Sequence, residues 1–143
     1  MDNQILIVDD EKEICNIIAR RLVMENYLCV TATTGKEALQ YFYKNQFSLV
    51  ICDIKIPEMD GLRLLENLKA IDPETIIIMM TGYPDIDIVI KALRLGAYDF
   101  FVKPFNLELL VFTIKKAFEK KILQEKLNMM TNIYPESCVK TID

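Results

Sequence analysis

The sequence contains no histidine, and this absence limits the chemistry open to the chain. It excludes catalysis by a serine–histidine–aspartate triad, and it excludes most zinc sites. The four cysteines, Cys15, Cys29, Cys52 and Cys138, include no C-x-x-C pair. Three of them lie in apolar segments, so the pattern predicts reduced thiols rather than a disulfide framework or a metal site.

Long hydrophobic runs are also missing. No stretch of about 18 uncharged apolar residues occurs, so the sequence predicts no membrane-spanning helix. The N-terminal MDNQILIVDD lacks the basic region and long apolar core of a secretory signal. The formal net charge of −4, from 17 basic and 21 acidic residues, does not indicate nucleic-acid binding by this part of the chain. We therefore expect a cytoplasmic protein with no membrane partner and no direct nucleic-acid partner.

Apolar segments of two periodicities alternate along the chain. Short apolar runs predict strands at residues 4–8, 27–31, 49–53, 75–81 and 99–102, and helical periodicity predicts helices at 11–26, 34–44, 61–71, 84–95 and from 106 onward. Five β-α units with short loops are typical of an α/β protein with a parallel sheet covered on both faces. We predict a flavodoxin-like, doubly wound sheet of five strands in the order 2-1-3-4-5, with five helices.

Polar side chains follow four of the five predicted strands. Asp9 and Asp10 follow strand 1, Asp53 ends strand 3, Thr81 ends strand 4 and Lys103 follows strand 5. The carboxyl ends of parallel strands meet at one edge of the sheet, where ligands bind near the point at which the strand order reverses. Three carboxylates placed together repel one another unless a cation lies among them, and Mg²⁺ with oxygen ligands fits that requirement.

These groups are suited to phosphoryl chemistry. An ionised Asp53 can attack phosphorus without a general base and form an aspartyl phosphate. Lys103 supplies a positive charge for a phosphate oxygen, and Thr81 supplies a hydroxyl donor. Each residue alone has an ordinary structural explanation, since Asp9 or Asp10 could cap a helix and Thr81 could belong to a turn. The joint occurrence at successive strand ends favours a phosphoryl-transfer site.

Four motifs, ILIVDDE, DIKIPEMDG, MMTGY and LGAYDFFVKPF, resemble in order and spacing those of the receiver domain of two-component response regulators. The resemblance covers about residues 4–118. It implies that Asp53 is the phosphoacceptor, which takes its phosphoryl group from a sensor histidine kinase or a phosphotransfer protein. It also implies that Mg²⁺ is held by Asp10 directly, by Asp9 through water, by Asp53, and by the backbone carbonyl of Lys55.

The resemblance further assigns a switch. Thr81 matches the family's switch hydroxyl and Lys103 its phosphate-binding lysine, and the Lys103–Pro104 bond is placed like a cis peptide of the family. Phe100 stands at the switch aromatic position, where tyrosine is common. Phosphorylation would draw Thr81 to the phosphoryl oxygens, move Phe100, and alter the face made by the fourth helix, fifth strand and fifth helix, which would control dimerisation or an output domain.

The fourth predicted helix is apolar on two sides. One stripe, Ile86, Val89, Ile90 and Leu93, is expected to face the core. A second row, Ile88, Ala92 and Leu95, has two interpretations: it contributes to a phosphorylation-dependent homodimer interface, or its neighbours partly bury it. On the first helix, the expected inner face is Ile14, Ile17, Ile18, Arg21 and Leu22.

The last helix extends beyond what a small sheet needs, since about 25 residues span roughly 37 Å. We predict a receiver domain at residues 1–120. Residues 121–143 would form a helical extension, then a linker or tail from about residue 131 that leads to an output domain outside this sequence. The KPF ending and the long helix look most like receivers of nitrogen-regulation-type transcription activators.

Three other functions would use the same architecture. A metal-dependent phosphohydrolase with an aspartate nucleophile typically carries a D-x-D pair and a cap insertion, whereas Asp9 and Asp10 are adjacent here and no insertion is present. A flavin-binding module would need a phosphate loop after strand 1, where this chain has acidic DDEKE. A degenerate receiver would lack part of the acid, hydroxyl and lysine set. The resemblance implies a signalling domain with weak phosphotransfer and autodephosphorylation activity, not a metabolic enzyme.

Overall fold

A computed structural model describes residues 3–133 of the chain. Residues 3–107 contain a five-stranded parallel sheet in the order β2-β1-β3-β4-β5, as predicted. The strands are β1 Gln4–Val8, β2 Leu28–Ala32, β3 Leu49–Asp53, β4 Ile76–Thr81 and β5 Asp99–Val102. The helices between them are α1 Lys12–Val23, α2 Gly35–Lys44, α3 Gly61–Ile71 and α4 Ile86–Arg94. The strand order reverses between β1 and β3, so the loops that follow these two strands lie side by side at the carboxyl edge of the sheet.

The central strands are buried on both faces. Every residue of β3 and of β4 is buried. On one face, alternate residues such as Leu6, Val50 and Ile77 join a core cluster with buried side chains of α2, α3 and α4. On the other face, α1 packs against β1 and β2. A rigid sheet of this kind holds the residues at its strand ends in fixed positions.

Side-chain caps fix where three helices begin. Thr34 caps α2 by accepting a hydrogen bond from the backbone N–H of Glu37 at 3.1 Å, and Glu37 accepts one from the N–H of Thr33 at 2.8 Å. Asp60 caps α3 and Asp85 caps α4 in the same way. An Asp or Thr at this position satisfies backbone donors that have no partner within the helix. The predicted starts of α2, α3 and α4 agree with the structure to within two residues.

The predicted inner face of α1 was wrong in one respect. Ile17 is 50% exposed, whereas Cys15, Ile18 and Leu22 are buried. Burial raises the pKa of the Cys15 thiol to about 11 and that of Cys29 to about 11. Within residues 3–133, Cys15, Cys29 and Cys52 are free, in accordance with the expected reduced thiols. Cys138 lies outside the described residues.

The expected core stripe of α4 was wrong, and the structure favours the interpretation in which neighbouring residues bury the second row. Ala92 is fully buried, and Ile88 and Leu95 pack against the core cluster, so the candidate interface row is the inner side of the helix. Three of the four residues of the expected core stripe are exposed instead, with Ile86 at 71%, Ile90 at 40% and Leu93 at 47%, whereas Val89 is half-buried. The small Ala92 side chain, between Ile88 and Leu95 in this row, is completely buried.

Helix α5 spans Leu107–Ile133 and is 27 residues long. Within the described residues, those up to Leu107 and those from Glu108 onward form separate compact units. The buried residues of α5 all lie in its first three turns: Leu110, Val111, Ile114 and Ala117. Its later apolar residues are exposed: Ile122, Leu123, Leu127, Met129 and Met130. The helix continues through residues 131–133, which were predicted to belong to the tail, and residues 134–143 lie outside the described part. Within the described residues, no helix combines the length and apolar character needed to cross a membrane.

Candidate functional site

Three carboxylates meet at the carboxyl edge of the sheet. Asp9 and Asp10 follow β1, and Asp53 is the last residue of the neighbouring strand β3. One carboxylate oxygen from each lies within 4.8 Å of the others. Asp9 is fully buried and Asp53 is 6% exposed, whereas Asp10 is exposed. The structure therefore brings these three residues together, as predicted.

Lys103 connects the two buried carboxylates. Its ammonium lies 2.5 Å from Asp9 Oδ2 and 2.9 Å from Asp53 Oδ2. Burial lowers the pKa of Lys103, but the hydrogen bonds and charges of Asp9 and Asp53 outweigh burial and raise the pKa above its ordinary value. The lysine is therefore charged at neutral pH, and it offsets the cost of removing two carboxylates from water. Sequence reasoning paired Lys103 with phosphate and missed its contact with Asp9.

Backbone groups complete the partners of the two buried carboxylates. Asp9 Oδ1 accepts a hydrogen bond from the N–H of Glu11 at 2.9 Å, and Asp53 Oδ1 accepts one from the N–H of Lys55 at 3.2 Å. Both oxygens of Asp9 thus have partners within the protein. Asp10 remains exposed at the cavity, which fits a carboxylate that could bind a cation directly.

The loop after Asp53 depends on a glycine. The N–H of Gly61 donates to the carbonyl of Ile54 at 2.8 Å, which draws the start of α3 against the end of β3. A Cβ on Gly61 would lie 2.3 Å from the carbonyl oxygen of Asp53 and 2.6 Å from the Cα of Ile54. Only glycine permits this approach. A backbone bridge between Lys55 and Asp60 closes the loop between them.

Thr81 is the last residue of β4, and Phe100 is the second residue of β5. Thr81 is 2% exposed, and its Oγ1 accepts a hydrogen bond from the N–H of Tyr83 at 3.1 Å. The carbonyl of Thr81 accepts a hydrogen bond from the N–H of Lys103 at 2.7 Å, which ties the ends of β4 and β5 together. Phe100 is half-buried and packs against the core cluster, as do Ile88 and Leu95. The Lys103–Pro104 peptide is cis, as the resemblance implies.

These groups surround an open cavity of about 380 Å³. Its lining consists of Asp10, Glu11, Asp53, Lys55, Thr81, Gly82, Tyr83 and Lys103. Sequence reasoning gave Glu11, Gly82 and Tyr83 no role in the site. Position alone was the available signal, because residues just after a parallel strand line the edge where ligands bind. The donors are hard oxygen atoms, which suit Mg²⁺ or a comparable cation.

A second, apolar groove of about 320 Å³ adjoins the cavity. It is lined by Ile14, Ile17, Ile18, Lys103, Pro104, Phe105 and Leu107. Lys103 lines both, so the groove lies beside the buried carboxylates. The exposed Ile17, an error in the predicted face of α1, belongs to this groove.

The sequence of the chain is similar to those of known proteins that share one domain. A sequence model of the response regulator receiver domain matches residues 5–115. Transcriptional regulatory protein ZraR of Escherichia coli K12 is 35% identical over 113 residues, which make up 79% of this chain and 26% of the relative. Sporulation initiation phosphotransferase F of Bacillus subtilis is 36% identical over 116 residues, which make up 81% of this chain and 94% of the relative. The chain spans about a quarter of the length of ZraR and of other curated relatives such as AtoC.

Solved structures agree with these sequence matches. A CheY-like receiver domain protein from Methanospirillum hungatei has a TM-score of 0.84 at 32% identity, covering 87% of this chain and 99% of that chain. The beryllofluoride-activated NtrC4 receiver domain dimer has a TM-score of 0.80 at 34% identity, covering 83% and 98%. The fold, the motifs and the acidic cluster lead to the same assignment: the chain belongs to the receiver domain family of two-component response regulators.

Proposed function

We propose that this domain accepts a phosphoryl group on Asp53 and uses it as a signal. The observation that carries the proposal is the position of the Asp53 carboxylate in the cavity, where Lys103 contacts one oxygen and the N–H of Lys55 contacts the other. The sequence holds no histidine, so a phosphohistidine donor has to lie outside these 143 residues. The expected donor is a sensor histidine kinase or a phosphotransfer protein.

The transfer needs no general base. A carboxylate oxygen of Asp53 attacks phosphorus, the bond between phosphorus and the donor nitrogen breaks, and the donor imidazole keeps the electron pair. The Lys103 ammonium, already within 2.9 Å of Asp53, neutralises charge on the phosphoryl oxygens. Thr81 Oγ1 accepts a hydrogen bond from Tyr83, which leaves its hydroxyl proton available to a phosphoryl oxygen.

Receiver domains generally use Mg²⁺ at this acidic pocket, and the donor set fits that ion. We propose that Asp10, Asp53 and the backbone carbonyl of Lys55 would hold it directly, and that Asp9 would act through water. Bound Mg²⁺ would supply positive charge against the phosphoryl oxygens. Asp9 is suited to an indirect role because Glu11 and Lys103 already engage its two oxygens.

The apolar groove is the surface we propose for the phosphodonor protein. It adjoins the cavity through Lys103, and its exposed Ile17 lies on α1. An apolar surface beside a reactive group can hold a partner in place for the reaction. Ile17→Asp is expected to slow phosphotransfer from a donor protein and to leave phosphorylation by acetyl phosphate unchanged. Equal slowing with both donors would contradict this assignment.

We propose that the signal leaves through Thr81, Phe100 and α4. Movement of Thr81 towards a phosphoryl oxygen would open space for Phe100, which contacts the same core cluster as Ile88. The rearranged face of α4, β5 and α5 would control the formation of a homodimer or the activity of an output domain. The beryllofluoride-activated NtrC4 receiver domain dimer supports control of homodimer formation. The exposed Ile90 and Leu93 replace the buried row in this proposal. Ile90→Glu should abolish phosphorylation-dependent self-association measured by light scattering, and unchanged association would refute this role of α4.

We also propose that the receiver domain ends within α5. Residues 1–120 would form the receiver, and residues 121–143 would connect it to an output domain, because ZraR is about four times the matched length. Family membership supports a cytoplasmic location, where the donor kinases have their ATP.

The test of the acceptor role uses the whole chain. It is incubated with Mg²⁺ and acetyl phosphate, and intact mass is measured. The expected result is one labile phosphoryl adduct on the wild type and none on Asp53→Asn. An adduct of equal yield on Asp53→Asn would refute the proposal. Rapid turnover of assorted phosphate esters would instead favour the phosphohydrolase.

A further inference from the structure

The two edge strands of the sheet differ in how they are protected. Among the described residues, β2 and β5 each pair with a neighbouring strand on one side only. Charged side chains normally stop such an open edge from pairing with another chain. On β5, the carboxylate of Asp99 accepts a hydrogen bond from the backbone N–H of Phe100 at 2.7 Å. Strand β2 has the sequence LCVTA, so no charge and no proline protects its edge.

The hydrogen bonds to β1 show which backbone groups of β2 are already paired. The N–H of Leu28 donates to the carbonyl of Asn3 at 2.9 Å. At the other end of the strand, the carbonyl of Ala32 accepts a hydrogen bond from the N–H of Asp9 at 3.1 Å. Parallel strands bond through alternate residues, so Val30, midway between Leu28 and Ala32, also bonds to β1.

Cys29 and Thr31 lie between the residues that bond to β1. Their N–H and C=O groups therefore point to the open edge of the sheet. No residue of the described part of the chain pairs with these groups. They form two donors and two acceptors, placed symmetrically about Val30. Because of this symmetry, a second β2 strand running in the opposite direction matches all of them.

We propose that two copies of this chain pair antiparallel through β2, which joins their five-stranded sheets into one. Cys29 of each copy lies opposite Thr31 of the other, and these pairs exchange four backbone hydrogen bonds. Val30 meets Val30 of the second copy. Leu28, which is 66% exposed, lies opposite the smaller Ala32. Since β2 carries no charge, like charges do not oppose each other across this strand pair. The pairing is separate from the α4 face and needs no phosphoryl group.

The size of the contact indicates a weak dimer. Stable interfaces bury at least about 1,000 Å² in total, and a pair of five-residue strands buries less. Each backbone hydrogen bond strengthens association about two- to tenfold. Loss of two of the four bonds should therefore weaken the dimer about 5- to 100-fold.

Sedimentation equilibrium of the whole chain without a phosphodonor tests the pairing, at about 10 to 500 μM because a small interface gives low affinity. The wild type should form a reversible dimer. Thr31→Pro removes one outward donor from each copy and no bond to β1, so it should weaken the dimer 5- to 100-fold, as worked out above from the loss of two bonds. Thr31→Ser keeps the backbone donor and should associate like the wild type. A wild type that stays monomeric would overturn the proposal, and so would a folded Thr31→Pro that associates as strongly as Thr31→Ser.

Cross-linking decides the question even if Thr31→Pro does not fold. Thr31→Cys places a thiol opposite Cys29 of the second copy, at a Cα separation of about 5.5 Å, which suits a disulfide. Oxidised glutathione takes up the two electrons as the bond forms, and peptide mapping of the dimer identifies the linked residues. The control, Leu28→Cys, is at a more exposed position but has Ala32 opposite.

The pairing predicts a dimer in which the thiol introduced by Thr31→Cys is bonded to Cys29, with a much lower yield of dimer from Leu28→Cys. Equal yields from the two variants would indicate random collision and overturn the pairing. A Thr31→Cys variant that forms no such dimer would overturn it as well.

Discussion

Replacement of Gly61 by alanine should damage the acceptor site through the backbone. Gly61 is the first residue of α3, and a single added Cβ would lie 2.3 Å from the carbonyl oxygen of Asp53 and 2.6 Å from the Cα of Ile54. Unbonded heavy atoms normally lie about 3.5–4.0 Å apart at their best separation. Both clashing atoms belong to the backbone, so no side-chain rotation can relieve the overlap.

These contacts determine how much Gly61→Ala should lower the free energy of unfolding. Overpacking costs about 1–3 kcal/mol, and loss of the 2.8 Å hydrogen bond from Gly61 to Ile54 adds about 0.5–1.5 kcal/mol. Alanine is the better helix former by up to about 1 kcal/mol, which offsets part of the cost. The net loss in free energy of unfolding is then about 1–3 kcal/mol, or about 3–10 °C in Tm for a domain of this size.

Thermal unfolding followed by circular dichroism measures the change, and acetyl phosphate labelling measures the effect on Asp53. Gly82→Ala is the matched control, because nothing lies within 4 Å of a Cβ added at Gly82. Its free energy of unfolding should change by at most about 0.5 kcal/mol. A Gly61→Ala variant as stable as Gly82→Ala, with unchanged labelling, would refute the close-approach argument.

Four further substitutions test other parts of the structure. Glu58→Gly should raise the free energy of unfolding by up to about 1 kcal/mol in urea titration, because Glu58 has a φ of +68°. Ala92→Glu should lower the free energy of unfolding by several kcal/mol, and Ile90→Glu should lower it by less than about 1 kcal/mol, because only Ala92 is buried. Equal shifts in Tm for the two variants would contradict the assignment of Ala92 to the inner side of α4. Because the folded-state pKa of Lys103 is raised, its stabilising charge is present at neutral pH and disappears as pH rises above about 10.5. The difference in free energy of unfolding between the wild type and Lys103→Met, measured by urea titration, should therefore become smaller above about pH 10.5. A difference that does not change with pH would contradict the ion pairs of Lys103 with Asp9 and Asp53.

The sequence predicted the strands and helix starts well because local signals determine them. β3 and α3 have the predicted bounds, since a short apolar run ends at Asp53 and an Asp60 cap precedes Gly61. Parallel strands place their ends together by topology alone, so the grouping of the three carboxylates with Lys103 also followed from the pattern.

The faces of α4 could not be read in the same way. A helix with apolar residues on two sides offers two stripes of similar period, and periodicity does not say which one meets the sheet. The residue that identifies the inner side is Ala92, which is completely buried and whose small volume fits a packed interior. Residue volume, rather than hydrophobicity, was the signal that the pattern analysis left unused.

Contacts between side chains of different loops also could not be predicted from the sequence. The contact of Lys103 with Asp9 joins residues 94 positions apart, and the contact of the Lys55 ammonium with the Tyr83 ring joins two loops whose conformations depend on Gly61 and Thr81. Such contacts depend on the exact direction of each loop after its strand. Composition and period carry no information about that direction.

The most direct test of the central claim locates the phosphoryl group itself. The chain is phosphorylated with acetyl phosphate and Mg²⁺, the acyl phosphate is reduced with borohydride to leave homoserine in place of the modified aspartate, and the peptides are sequenced by tandem mass spectrometry. Homoserine is expected at position 53 alone, because Asp53 lines the cavity and one of its oxygens contacts the Lys103 ammonium. Homoserine at position 9 or 10 in place of position 53, or at none of the three, would contradict it.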